Sequence, residues 1–181
     1  MDKMTNWIKN EKHGEYKNVL RGAFPKALRS EVDAVLSILP FDDNNVKCTE
    51  QQTIRLENLI SPWSSTSRLD DEVLTIPDRV YFNEPDAEDE RKLTGIQKII
   101  LNCIYLRHHD GYIRQRRLEG LLGKSDNWII PFTIQLLGEY VVEILPVLDR
   151  HINDKTIEGY VKFTRENPNY WKQIKNRMIS Y

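Results

Sequence analysis

The stretch LTGIQKIILNCIYLRHHDGYIRQRRLEGLL, residues 93–122, decides the fold class. At 100° per residue, Leu93, Ile96, Ile99, Ile100, Cys103, Ile104 and Leu106 share one broad face, and Lys98, Asn102 and His109 the opposite one. That pattern predicts an amphipathic helix over about 93–109, with His109 facing water and His108 between the faces. Asp110-Gly111 then supplies a carboxylate suited to cap the next helix and a glycine free to take the positive φ of a tight turn. In that second helix, about 112–123, the apolar arc is marked by Ile113, Leu118, Leu121 and Leu122. The same wheel places Arg114 near the centre of the arc and Arg117 inside it, whereas Arg116 and Glu119 point away. A guanidinium in an apolar arc requires a carboxylate or carbonyl partner, because burying an unpaired charge is very costly. Gln135, Glu139 and Glu143 lie at helical spacing in the next segment, so Arg114 or Arg117 with Glu139 or Glu143 is the expected structural ion pair.

Downstream, helices are expected at about 128–150, apolar almost all round like a central buried helix, and at 155–180, split by Pro168. Upstream, Glu84 to Lys92 (EPDAEDERK) has five acids and no apolar residue larger than Ala, and it reads as an acidic linker or surface loop. Before it, Val73, Thr75 and Val80-Tyr81-Phe82 are β-branched or aromatic around Pro77, which predicts one short hairpin or a pair of edge strands near 73–82. Ser61 to Ser67 reads as a loop. Thr49 with Gln52 fits a capping box that opens a helix through Ile54, Leu56, Leu59 and Ile60. Helices also follow from Glu15 to Phe24 and from Pro25 to Leu39, where proline suits a first turn and Pro40 ends the second. The expected architecture is a mostly α single domain spanning residues 1–181. Within it, residues 1–83 are helical with a short β element, residues 84–92 are the linker, and residues 93–181 form a helical core.

The chain has 40% hydrophobic and 29% charged residues over 181 positions, an ordinary soluble composition. Trp128 to Leu148 approaches membrane-spanning length but contains Glu139, Glu143 and two prolines, so no membrane span is expected. The first residues lack a basic then apolar leader, which makes the cytoplasm the expected compartment. Cys48 and Cys103 are too few for a disulfide framework or a four-ligand zinc site and read as free thiols. Net charge is −1, yet residues 1–97 carry 13 basic and 18 acidic side chains, and residues 98–181 carry 13 and 9. The C-terminal half therefore leans towards acidic partners.

Asp110-Gly-Tyr-Ile113-Arg114-Gln-Arg-Arg117-Leu-Glu-Gly120-Leu121 resembles the second-helix signature of HEAT repeats: an Asp, a Val or Ile followed by Arg, then small residues and a Leu. The resemblance covers residues 93–123 and departs from the pattern where Arg117 replaces a small residue. It implies a HEAT-like or armadillo-like core over 93–150 in which Asp and Arg are structural and the stacked helices present an interaction surface. The longer C-terminal stretch is also similar to bacterial proteins of uncharacterised activity, which implies no function.

Adjacent His108 and His109 point about 100° apart and no His-Glu-x-x-His or Glu-x-x-His pairs occur, so neither a metal nor any other cofactor is expected. Cys103 with His108 as nucleophile and base is disfavoured by the apolar setting of the thiol. Glu139 and Glu143 as an acid and base give way to their reading as arginine partners. Arg107, His109, Tyr112 and Arg116, with Lys124 beyond, form a candidate binding patch, joined by Lys172, Lys175 and Arg177 around Tyr170 and Trp171. Glu84, Asp86 and Glu88 are a second candidate surface for a basic partner. Tyr170, Trp171, Ile174 and Met178 share helical spacing and are expected to dock on the core. The expected function is non-enzymatic: a macromolecular interaction protein, an adaptor or toxin-neutralising immunity-type binder with a protein partner. The alternative is a nucleic-acid-binding helical module that uses the basic C-terminal half. Oligomeric state is not legible.

Overall fold

Helical periodicity governs most of the chain, and the computed structural model, which describes residues 3–47, 52–139 and 141–179, is mostly helical with two small antiparallel hairpins among them. Helix α1 (Lys3–Arg21) sets Tyr16 and Leu20, four residues apart, into the core. Pro25 opens a 3-10 turn (Lys26–Leu28) that leads into α2 (Arg29–Ser37), whose Val32, Val35 and Leu36 are buried. Pro40 follows the end of α2, as expected.

The segment expected to continue as a helix from residue 49 instead forms a hairpin. Strand β1 (Asn45–Lys47) pairs antiparallel with β2 (Thr53–Arg55), Val46 opposite Ile54. Thr49, the expected cap, and Cys48 lie outside the described residues. Ile60 pairs with Val80, and Leu59 N–H donates to the Tyr16 hydroxyl, so long-range bonds hold this stretch extended despite its helix-compatible spacing. The Ser-rich stretch is likewise a strand: β3 (Ser64–Leu69) pairs with β4 (Glu72–Pro77), with Ser64 opposite Pro77. The hairpin is thus centred at 70–71, with Asp70 at φ +51°, and Val80 to Phe82 are not its second strand. Pro77 sits at the strand end, where a missing N–H costs the ladder nothing.

The acidic segment 84–92 is no linker. Asp86 accepts a hydrogen bond from Glu88 N–H and starts α3 (Ala87–Lys92), whose acids lie in the first turn and whose Arg91 and Lys92 lie in the last, as the helix dipole favours. A full capping box between Thr94 and Gln97 opens α4 (Gly95–Tyr105), and the Asp110 carboxylate accepts from Tyr112 N–H to open α5 (Gly111–Glu119). Gly111 has no positive φ; a Cβ there would lie 2.4 Å from Val141 Cγ2, so the glycine serves close packing rather than a turn.

The expected long helix over 128–150 breaks. A 3-10 turn (Asn127–Ile129), α6 (Ile130–Thr133) and a second 3-10 segment (Ile134–Gly138) give way to extended backbone at Glu139 before α7 (Ile144–His151) begins. An apolar run without a single face has no preferred helical register, and Pro131 and Pro146 each remove a backbone donor. Helices α8 (Ile157–Glu166) and α9 (Pro168–Ile179) complete the chain, divided at Pro168. Helix α2 packs on α4, α4 on α5, and α5 on α7. The main core gathers these helices and both hairpins, with Phe24 stacked on Phe132 at 4.9 Å and Phe41 edge-on to Phe82 at 5.2 Å. A smaller core unites Ile130, Ile134, Tyr160, Phe163, Tyr170 and Ile174. Among the described residues, no helix is long and apolar enough to cross a membrane.

Candidate functional site

Residues 79–84 run beside the end of α4. Val80 N–H donates to the Arg107 carbonyl at 2.8 Å, and His109 N–H donates to the Val80 carbonyl at 3.0 Å. This short parallel pairing brings residues from both halves of the chain onto two sides of the α4–α5 turn.

On the inner side is a charged cluster. Arg107 is 1% exposed and donates from Nη2 to the Asp78 carbonyl at 2.7 Å and from Nε to the Pro77 carbonyl at 3.3 Å. Its Nη1 is 3.5 Å from Glu139, which also holds Arg79 at 2.5 Å and Arg114 at 3.4 Å. Burial lowers the Arg107 guanidinium to about 10, opposed by Glu139 and reinforced by Arg79. Arg114 donates to the His108 and His109 carbonyls at 2.6 and 2.9 Å, fixing the turn from within; burial lowers its pKa too. Arg107 was expected on the binding patch. That position is corrected: regular helix ends at Tyr105, so the 100° wheel no longer holds two residues later and the chain turns the side chain inward.

Arg117 is buried as its wheel position implies, but it meets neither Glu139 nor Glu143. It forks onto Glu84 at 2.7 Å and Glu90 at 2.5 Å and lies over the Tyr105 ring. Arg116 is exposed and also pairs with Glu84. Burial alone would raise the Glu84 pKa, and the two arginines outweigh it to leave the carboxyl below its ordinary value. Glu143 is exposed at the N-cap of α7, so as a structural ion-pair member or an acid/base partner of buried Glu139 it is set aside. Asp86 and Glu88 lie exposed at the start of α3, where Glu88 is 3.7 Å from Arg91.

On the outer side is a cleft of about 1070 Å³. The β1 end supplies Asp43 and Lys47, the 80–84 segment Asn83 and Glu84, and the α4–α5 turn His109 and Tyr112. Asn83 joins the walls: its amide donates to Asp43 at 3.0 Å and to the Asn45 carbonyl at 2.7 Å, and its carbonyl accepts from Tyr105 hydroxyl at 2.6 Å. Tyr112, 76% exposed, stands at the rim. His109 is half-buried rather than free in water, its Nε2 within 3.3 Å of the Lys47 carbonyl and its ring stacked on Tyr81. Burial lowers its pKa.

His108 is 2% exposed at the back of the cleft. Nδ1 accepts from Asp110 N–H at 3.1 Å, so Nε2 carries the proton it donates to the Phe82 carbonyl at 3.2 Å. Burial first, then neighbouring His109, holds this ring neutral down to about pH 4. Cys103 is buried and its thiol pKa raised well above the ordinary value, mainly by burial, which suits a core residue and not a nucleophile. Among the described residues, no three His, Cys, Asp or Glu side chains converge as metal ligands.

In α9, Tyr170 and Ile174 are buried while Met178 is exposed. Lys175 lies over the Trp171 ring and Arg177 is 3.5 Å from Asp78. Sequence reasoning missed Arg79, Asn83 and Glu90. Only Glu90 carried a signal, as one acid of a run opposite an arginine-rich helix. No protein-family model, curated protein or solved structure matches the chain.

Proposed function

We propose that the chain is a non-enzymatic macromolecular interaction protein, an adaptor or toxin-neutralising immunity-type binder of the cytoplasm, built on a HEAT-like or armadillo-like pair α4–α5. Its protein partner docks on the cleft beneath Tyr112. The observation that carries this reading is that largely exposed aromatic on a turn held rigid from below by Arg114. Tyrosine supplies contact area at low entropic cost and is frequent among interface hot spots. A nucleic-acid reading has less support, because Arg107 and Arg114 are buried and Arg116 and Arg117 already hold carboxylates. The test is affinity capture with the parent chain and with the folded His109→Ala/Tyr112→Ala/Arg116→Ala variant, followed by titration of the captured protein. Loss of about tenfold or more in affinity is expected. Equal binding by the triple variant would remove the cleft from the interface.

A further inference from the structure

Helix α3 is tied to α5 by the Arg117–Glu90 pair and buries no side chain of its own; buried Pro85 and Leu93 flank its two ends. Between α3 and the pair is a cavity of about 640 Å³. Lys98 of α4, Arg116 and Arg117 of α5, and Lys124 just beyond line it, against only two carboxylates, Glu84 and Glu90. Arg117 forks onto both carboxylates and Arg116 onto Glu84, so the existing pairs account for two of the four cations. Lys98 and Lys124 are exposed and have no ion pair among the described residues. The cavity wall therefore carries two positive charges in excess.

Ala87 and Ile99 add apolar lining, and a cavity of this size with a few convergent polar groups suits a small molecule. We infer that this cavity binds a small phosphorylated ligand, with its phosphate held by Lys98 and Lys124 beside the Arg116 and Arg117 guanidiniums. A phosphate near its second ionisation carries up to two negative charges and three acceptor oxygens, which matches the uncompensated charge better than one carboxylate does. With all four cations lining one pocket, the ligand is a compact phosphate, and a continuous polymer is the competing outcome of the test. The cavity shares Glu84 with the cleft under Tyr112, but its charge excess stands whether or not a partner docks there.

The experiment is calorimetric titration of the full chain with inorganic pyrophosphate, against sodium chloride of matched ionic strength. Saturable binding is expected, weakened about tenfold or more in Lys98→Ala/Lys124→Ala and changed less than about twofold in Lys172→Ala/Lys175→Ala. Circular dichroism verifies that the variants fold. In the parent, amide shifts on pyrophosphate addition should cluster at residues 95–102 and 116–124, a readout that needs no variant. Absence of saturable binding, equal affinity in the Lys98/Lys124 variant, or shifts located elsewhere would overturn the assignment. So would a single-stranded oligonucleotide of about 12 nucleotides that binds and that pyrophosphate cannot displace, because the phosphate would then belong to a polymer.

Discussion

The Arg114 guanidinium lies 3.4 Å from the Glu139 carboxylate, and both side chains are withdrawn from water. The same guanidinium donates to the His108 and His109 carbonyls, so one residue ties the α4–α5 turn to the cluster that closes the core behind it. Glu139 meets three arginines there, two of them buried.

Arg114→Ala should destabilise the fold by about 2–4 kcal/mol, because it strips packing, frees two turn carbonyls and weakens the neutralisation of Glu139. Arg116→Ala removes only a surface pair with Glu84 and should cost less than about 1 kcal/mol. Urea denaturation of both variants checks the contrast; an unchanged midpoint for Arg114→Ala would contradict it.

Glu139→Ala should be more damaging, about 3–5 kcal/mol, since it leaves Arg79, Arg107 and Arg114 as neighbouring cations without their shared anion. Adding Arg107→Met should recover some of that loss by removing the most buried of the stranded charges. A double-mutant cycle with no coupling between the two positions would refute the cluster as an energetic unit.

His108 makes stability depend on pH. Its folded pKa is about 4 against an ordinary 6.5, so between those values the unfolded chain binds a proton that the folded chain refuses. Stability from this group is complete above about pH 6.5 and declines as pH falls towards 4. Half-buried His109 and buried His151, both with lowered pKa values, act in the same direction. His108→Gln should therefore lose about 2 kcal/mol less than the parent between pH 7.5 and 4.5 in parallel denaturation series. Identical slopes would show that His108 is not the proton-linked group.

Gly111→Ala should cost about 1–3 kcal/mol, because the added methyl would overlap Val141 Cγ2 at 2.4 Å. Val141→Ala should relieve most of that cost when combined with it. A thermal melt of Gly111→Ala at or above the parent midpoint would mean that the segment before α7 has room to move away from α5.

Most of residues 93–123 was legible because caps and a 3.6-residue period agree there. Asp110 caps α5, and the inward positions of Arg114 and Arg117 follow from the wheel; the Thr94–Gln97 capping box that opens α4 is equally present in the sequence but went unread. Their partners were not equally legible. Arg117 pairs with Glu84 and Glu90, 33 and 27 residues earlier, and no local pattern carries that pairing. Residues 53–60 misled for the converse reason: Ile54, Leu56, Leu59 and Ile60 suit a helix, but strand pairing with β1 and Val80 outweighs the local spacing. Over 128–150 the helical spacing of Gln135, Glu139 and Glu143 misled, because an apolar run without a single face fixes no register, and beyond Pro131 and Pro146 nothing local marks the break that lets Glu139 reach three arginines. The cleft depends on Asn83, an isolated polar residue whose importance arises only when three separate segments meet around it.

The division of the interior into two apolar clusters has a consequence for how the molecule comes apart. Leu137 and Ile152 pack against both clusters, and the smaller one holds α8 and α9 on Ile130 and Ile134 with a set of side chains of its own. Cooperativity passes from one body of a protein to another in proportion to the contacts they share. Amide protons of α8 and α9 should accordingly exchange with deuterium through partial openings that leave α4 protected, so that the last ~25 residues behave as a detachable foldon on a sturdier trunk.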